Sequence, residues 1–236
     1  MKKQISDIPT CVQCTNKSSI FCALSSNEKS ELGENKGGNF YKKGQVVFYE
    51  GNHSSGLYCV FKGKVKLTKL GEDGKEQVIR FAKDADILGY RALLSNESYQ
   101  ATATAMEDCL ICRLSKKNFI QLMEKNPKLS WNTMRLLSND LRKAEQHLIN
   151  IAQKTAKERI AEALIVLKST FGLKLDQKTL DVTLKRSEIA EIAGTTTETT
   201  IRTLASLHKE EIIELNEKNI LILNLKKLTK TAAIYD

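Results

Sequence analysis

The hydrophobic period of this chain changes from strand-like to helical near residue 126, and that change restricts the folds open to it. Between Phe40 and Leu114, short runs rich in Val, Ile, Tyr and Phe alternate with glycine and Asn/Asp turns. The clearest are QVVFYEG (45–51), GLYCVFKG (56–63), KVKLTKL (64–70), EQVIRFA (76–82) and ATATAMEDCLICRL (101–114). Gly71-Glu72-Asp73-Gly74 suits a hairpin turn between two of them. Short strands at this spacing predict a small β-barrel or jelly roll. Beyond it the pattern turns helical, with Asn126 as cap and Pro127 in the first turn. Met134, Leu137, Leu141, Ala144, Leu148 and Ile151 then step by 3, 4, 3, 4 and 3 residues, an a/d seam. Some 25 residues at about 1.5 Å each give a helix of roughly 38 Å. Asn139, Asp140, Arg142, Lys143, Glu145 and Gln146 fill the other faces, so a narrow seam against one partner helix is expected. Packing of this helix on its own barrel is the alternative.

The flanks are also patterned. A short helix is expected within 27–34, capped by Ser25 or Ser26. A second runs over Thr155–Phe171, with Ile160, Ala163, Leu164 and Leu167 on one face and Gly172 as stop. A third covers Arg186–Ala193 and ends at Gly194; a fourth, Thr197–His208, follows at once. The alternation of residues 212–223 around Asn216-Glu217-Lys218-Asn219 predicts a two-stranded wing. The fold class is thus α+β. Its expected divisions are a cysteine-containing segment (1–26), a β-roll (27–126), a dimerisation helix (127–153) and a winged helix-turn-helix domain (154–236).

Forty-one per cent hydrophobic residues suffice for a core. No apolar run approaches the roughly 20 residues of a membrane span, and MKKQISDIPT lacks a secretory h-region. A cytoplasmic protein without a membrane partner is expected. The formal net charge of +9 favours a polyanionic partner. Yet from Lys154 onward there are 14 basic and 12 acidic residues, against 23 and 16 before it. Bulk charge therefore does not single out the C-terminal third.

Motif and geometry do. RSEIAEIAGTTTETTIRTLASL (186–207) places two helices around a short glycine-containing turn. Ile189, Ile192 and Ala193 are expected to form the inner face of the first, and Ile201, Leu204 and Leu207 that of the second. Ala190 is small enough for a close crossing. Thr195, Thr196 and Thr197 supply caps, and hydroxyls for phosphate oxygens. Glu198 and Arg202 lie four apart on one face. An Arg pairs bidentately with guanine, and a Glu accepts from cytosine N4. Arg186, Thr196, Thr197, Glu198, Thr199 and Arg202 are the candidate contacts to double-stranded DNA. An exposed ion pair on an ordinary core helix is the plainer alternative. No enzyme is expected: His53, His147 and His208 fall in unrelated contexts, and no Gly-rich phosphate loop, nucleophile elbow or HExxH occurs.

These residues resemble the CRP/FNR superfamily, whose recognition helices carry a Glu-Thr-x-x-Arg core, here Glu198-Thr199-Thr200-Ile201-Arg202. The likeness extends over almost the whole chain. GLYCVFKGKVKLTKLGEDGKE is similar to the family's β-roll hairpin, Asp86-Ile87-Leu88-Gly89 to the mouth of its ligand pocket, MRLLSNDLRKAEQHL to its dimer helix and KERIAEALIVL to the helix after it. The resemblance implies a homodimeric regulator acting with RNA polymerase. Its two recognition helices would enter major grooves roughly 34–36 Å apart on a near-palindromic operator.

It also implies two sensing chemistries. Cyclic-nucleotide pockets of the family carry Gly-Glu-Leu and later Arg-Ser. Here the matching positions hold Gly89-Tyr90-Arg91 and Gln100-Ala101, which argues against a cyclic nucleotide, because a buried phosphate needs a paired cation. The other chemistry is a [4Fe–4S] cluster on four thiolates. Of six cysteines, Cys11, Cys14 and Cys22 form C-x2-C-x7-C, and Cys112 lies in a segment similar to the one holding the family's fourth ligand. The usual last gap of the trio is five residues, so Cys22 departs from the pattern. Cys11 and Cys14 sit in a polar stretch that packing explains poorly. Cys59 is expected to be a small buried apolar residue, and Cys109 likewise, though it is the one rival to Cys112. Zinc and thiol redox chemistry use the same thiolates and stay open, as does a small effector in the roll. Ala144 stands where the oxygen-sensing relatives carry an acidic seam residue. The dimer is therefore expected to depend less on its cluster.

Overall fold

The computed structural model describes residues 10–14, 19–72, 74 and 76–234. Asp73 of the expected hairpin turn, and most of the N-terminal stretch tested for a signal, lie outside them. The chain divides into two compact units, one running up to Leu70 together with Ile79–Arg142, the other Gly71–Val78 with Lys143 onward.

The first unit is the β-roll. Its strands are β1 (Lys36–Tyr41), β2 (Val46–Phe48), β3 (Gly56–Lys62), β4 (Val65–Leu70), β5 (Glu76–Ala82), β6 (Ile87–Leu88), β7 (Thr102–Ala105) and β8 (Cys109–Ser115). They form two four-stranded sheets, ordered β1-β8-β3-β6 and β2-β7-β4-β5. The stretch 101–114 is not one strand but two, β7 and β8, parted by a bend at 106–108. Strand alternation sorts side chains into two apolar layers. Tyr58 and Val60 of β3 join Cys109 and Ile111 of β8 inside the roll, with Phe48, Val65 and Ala103. Leu57 and Leu114 face outward, into a layer with Leu24, Leu32, Ile87, Phe119 and Leu129.

Helices cover that outer layer. Residues Ile20–Ala23 form a 3-10 turn, followed by α1 (Ser26–Glu34), α2 (Tyr90–Ser95) and α3 (Lys116–Lys125). Ser25 caps α1 through a capping box with Glu28. Asn126 ends α3 and starts α4 (Pro127–Gln153), its Oδ1 accepting from the Leu129 N–H at 2.9 Å. The division between the units falls within α4.

The second unit holds α5 (Ala156–Phe171), α6 (Arg186–Ala193), α7 (Thr197–Lys209), the hairpin β9 (Ile213–Asn216) with β10 (Asn219–Ile222), and α8 (Leu225–Thr231). Thr155 and Glu158 make the capping box of α5. Ile160, Leu164, Leu167, Ile189, Leu204, Leu207, Ile213 and Leu228 are buried in its core. Among the described residues, no helix is long and apolar enough to cross a membrane.

The β3–β4 corner depends on one glycine. Gly63 has φ +119°, and a Cβ there would lie 2.5 Å from the Cys109 Sγ and 3.0 Å from its Cα. Neither the strained φ nor a backbone atom yields cheaply. Gly63→Ala is therefore expected to destabilise the roll by about 1–3 kcal/mol, lowering the urea midpoint. An unchanged midpoint would show that the corner relaxes freely.

Candidate functional site

The C-terminal reader is built from α6 and α7. Gly194 ends α6 in the left-handed region at φ +59°, and the Thr195 N–H returns to the Ala190 carbonyl at 3.0 Å. Arg159 of α5 fastens the turn: its Nε donates to the Ala193 carbonyl at 2.8 Å and its Nη2 to the Gly194 carbonyl at 3.2 Å. A cation on the last carbonyls of a helix satisfies orphan acceptors and opposes the helix dipole. Thr196 caps α7, its Oγ1 accepting from the Thr199 N–H at 3.1 Å. Thr197, Glu198 and Arg202 are exposed and Thr199 is half-buried. The Glu198 and Arg202 side chains are 78 % and 71 % exposed and 3.7 Å apart. So open a pair is weak and exchanges readily for other partners.

One expectation about this element is corrected. Ile201 does not belong to the inner face of α7 but is 52 % exposed. Thr200 takes its place: it is buried, with its Oγ1 donating to the Thr196 carbonyl at 3.0 Å. A hydroxyl that bonds back to its own helix can be buried where a β-branched alkyl chain was expected. Arg186 is half-buried and donates to the Glu217 carbonyl of the wing at 3.3 Å. Its Nη1 is buried with no hydrogen-bond partner among the described residues, and burial holds its pKa below the usual guanidinium range.

The cysteines converge at the other end of the chain. A cavity of about 70 Å³ on the outer face of the roll is lined by Cys11, Cys14, Cys22, Cys59 and Cys112. Lys29, Lys36, Phe21, Leu57 and Leu114 are among its other walls. Cys11 and Cys14 flank one turn, closed by the Cys14 N–H on the Cys11 carbonyl at 3.4 Å. Cys22 lies exposed on the 3-10 turn, while Cys11, Cys14, Cys59 and Cys112 are half-buried. Cys59 and Cys112 face each other across β3 and β8. The sequence marked Cys59 as a buried apolar residue; it is instead a fifth cavity thiol. Cys109 does point into the roll, its Sγ 3.1 Å from the Glu107 carbonyl, and burial pushes its pKa up to about 11.

The cavity is a cationic site for thiolates. Burial pushes the Cys11 and Cys112 thiols up, and the Lys36 ammonium opposes this at both. Lys36 Nζ donates to the Cys112 Sγ at 3.7 Å. Burial also raises Cys59, and the thiols of Cys112, Cys14 and Cys11 add to the rise. Buried thiols of this kind stay protonated until a metal displaces the proton. The donor set, all sulfur with two lysines, suits an iron–sulfur cluster or zinc. The volume is several times the about 10–15 Å³ that one water needs, so there is room for more than a bare ion. Among the described residues, no three His, Cys, Asp or Glu side chains are gathered so as to hold a single metal ion.

The roll contains a second cavity, of about 540 Å³, beside Gly89, Tyr90, Arg91, Gln100 and Ala101. Its half-buried cation, Arg80, is already engaged. Arg80 Nη1 reaches Asp140 at 3.0 Å and the Tyr90 hydroxyl at 2.5 Å, and its Nη2 reaches the Ile87 carbonyl at 3.0 Å. Tyr90 also donates to Asp140. Arg91 is exposed at the rim. On α4, Met134, Leu141, Ala144, Leu148 and Ile151 are exposed, Leu148 by 67 %. Leu137 is half-buried against the outer apolar layer.

Comparison with known proteins agrees with this architecture. Residues 39–126 match the model of the cyclic nucleotide-binding domain, and 158–231 that of the Crp-like helix-turn-helix domain. The fumarate and nitrate reduction regulatory protein of Vibrio cholerae is 30 % identical over 194 residues, covering 82 % of this chain and 77 % of the relative. The transcriptional activator protein FnrL of Cereibacter sphaeroides is 29 % identical, over 96 % of this chain and 94 % of the relative. Among solved structures, FixK2 from Bradyrhizobium japonicum superposes with a TM-score of 0.76 at 24 % identity, over 85 % of this chain and 99 % of that one. A β-roll, a long helix and a Glu-Thr-x-x-Arg reader, joined to relatives of this similarity, place the chain in the CRP/FNR family of DNA-binding transcription regulators, close to its fumarate-and-nitrate-reduction branch.

Proposed function

We propose that this regulator binds a near-palindromic operator as a homodimer and is controlled by a cysteine-held iron–sulfur cluster that responds to oxygen or another oxidant. One observation carries the reading: five of the six cysteines, from four separate stretches of chain, line one cavity beside two lysines. Packing alone does not collect thiols and cations together on the outside of a roll. The bound cluster would supply a redox-labile cross-link between the N-terminal turn and the strands beneath it. The chain's part is to hold it. Cys11 and Cys14 offer two thiols from one turn, Cys22 offers a third from the 3-10 turn, Cys112 offers one from a strand, and Lys29 and Lys36 offset the negative charge of the thiolates.

The output follows from α7. Thr196, Thr197 and Thr199 sit at its N-terminus, where hydroxyls and backbone N–H groups suit phosphate oxygens. Glu198 and Arg202 are left to read base edges, and exposed Ile201 beside them suits a thymine methyl. Arg186, tied to the wing, acts as a support with a phosphate contact open to it. The exposed stripe of α4 suits a second copy, since burying each Leu is worth about 1.5–3 kcal/mol. RNA polymerase is the partner on which such a regulator acts.

Palindromic operator selection, performed anaerobically and after air, tests the function. Tight, sequence-selective binding that changes with exposure to air is expected; binding indifferent to sequence would contradict it. Arg202→Ala is expected to cost about 1–3 kcal/mol of operator affinity and to relax base preference at one position per half-site. Equal loss on every sequence would mean a phosphate contact instead. Leu141→Asp is expected to give a monomer by light scattering, whereas the wild type, with Ala144 on its seam, stays dimeric in air. A dimeric Leu141→Asp protein would remove α4 from the interface.

A further inference from the structure

Helix α4 runs from Pro127 to Gln153, yet the roll covers only its first half. Leu129 and Thr133 are buried, and Leu136 and Leu137 are half-buried against the outer apolar layer. Asp140 is half-buried too, and every residue from Leu141 to Ile149 is exposed. We propose that Arg80, Tyr90 and Asp140 form a latch that fixes the rotation of α4 on the roll and so presents its apolar stripe to a second copy. They are positioning residues for dimerisation, and the proposal rests on the homodimer reading above.

The latch joins three elements: Arg80 of β5, Tyr90 at the start of α2 and Asp140 of α4. Arg80 Nη1 donates to the Asp140 carboxylate at 3.0 Å, and its Nη2 to the Ile87 carbonyl at 3.0 Å. The Tyr90 hydroxyl accepts from Arg80 Nη1 and donates to Asp140. The guanidinium carbon lies 5.4 Å from the centre of the Tyr90 ring. Burial pushes the Tyr90 hydroxyl up to about 12, so it stays a donor at neutral pH. An exposed ion pair would be worth little. This one is shielded, its side chains 22 % and 17 % exposed, and each ion has a further hydrogen bond. Such a network holds its members in one arrangement, and removing one leaves the others short of partners.

Helix geometry gives the latch its consequence. Leu129, Thr133, Leu136 and Asp140 follow one another at three and four residues, so they share the face that lies on the roll. At 3.6 residues per turn, Met134, Leu141 and Leu148 are turned about 100° away from Asp140, and all three are exposed. Every apolar side chain of α4 beyond Leu137 is exposed. The apolar layer therefore anchors the start of the helix, and the ion pair fixes its phase where the stripe continues. A rotation of one residue step would turn the stripe away from a partner. With the phase preset, association has less ordering to do. Arg80 and Tyr90 also wall the second cavity, so the carboxylate that engages its half-buried cation comes from the chain's own dimerisation helix.

Full-length wild type, Arg80→Gln, Asp140→Asn and the double variant are to be prepared anaerobically, and dimer dissociation followed by sedimentation over a concentration series. Each single substitution is expected to weaken the dimer at least about fivefold, and the double variant to be no weaker than the weaker single one. Such non-additivity marks one shared interaction. Losses that multiply, or variant dimers as tight as the wild type, overturn the latch and leave the homodimer reading standing. Wild type that is monomeric throughout overturns both. Tyr90→Phe keeps the ring and removes only the hydroxyl. It is expected to weaken the dimer in the same direction, and decides the matter if an Arg80 variant does not fold; a Tyr90→Phe dimer as tight as the wild type overturns the latch. Amide hydrogen exchange, at concentrations where every variant is dimeric, separates the latch from general damage. Exchange is expected to quicken over 138–145 while β3 and β8 keep their wild-type protection. Exchange unchanged over 138–145, or quickened equally across the roll, overturns the proposal.

Discussion

The pairing of β3 with β8 decides what the rest of the first unit can be. Its register sets Tyr58, Val60, Cys109 and Ile111 into the roll, and Leu57, Cys59, Cys112 and Leu114 onto the outer face. Because the side-chain period of a strand is two, a slip of one residue would exchange the faces. It would bury the cavity thiols among Phe48 and Val65 and expose Ile111. The apolar layers fix this register far more strongly than any thiol could, so the thiols are positioned by the hydrophobic effect before any metal binds. Gly63 belongs to the same constraint, since its missing Cβ gives Cys109 room to point inward.

The second unit solves a comparable problem with helices. A recognition helix must expose polar side chains while its scaffold stays rigid. Buried Leu204 and Leu207 anchor one face of α7, the Thr196 cap fixes its start, and Arg159 binds the carbonyls that close α6. None of these groups need touch DNA, yet together they determine where Glu198 and Arg202 stand. The nearly balanced charge of this third of the chain is consistent with such a design. Affinity for phosphate comes from hydroxyls and helix N–H groups as well as from lysine and arginine.

Much of this was legible in the sequence, for stated reasons. Long periodic segments announce themselves, so α4, α5, α6 and α7 fall within a residue or two of their expected ends. Short elements do not. Lys36-Gly37-Gly38-Asn39 at the start of β1 has no strand-like composition and is ordered by its partner β8. The two-residue β6 and six-residue α2 are likewise set by tertiary contacts. Helix α3 did leave a signal, the Ser115 cap followed by Phe119 and Leu122, hidden between a strand pattern and Pro127. Ile201 was misplaced because hydrophobicity alone does not tell an inner from an outer face when a threonine can be buried instead. Cys59 shows the limit of local pattern. Its parity puts it on the face opposite Tyr58 and Val60, but only the pairing with Cys112 reveals what that face meets.

The central claim is that thiols arranged by the fold hold an iron–sulfur cluster. The most direct test is the iron, acid-labile sulfide and zinc content of the anaerobically purified wild-type chain. The account predicts iron and sulfide in equal amounts, about four of each per chain, without stoichiometric zinc. One zinc per chain with no sulfide would contradict it, and would leave the reader on α7 under a different kind of control.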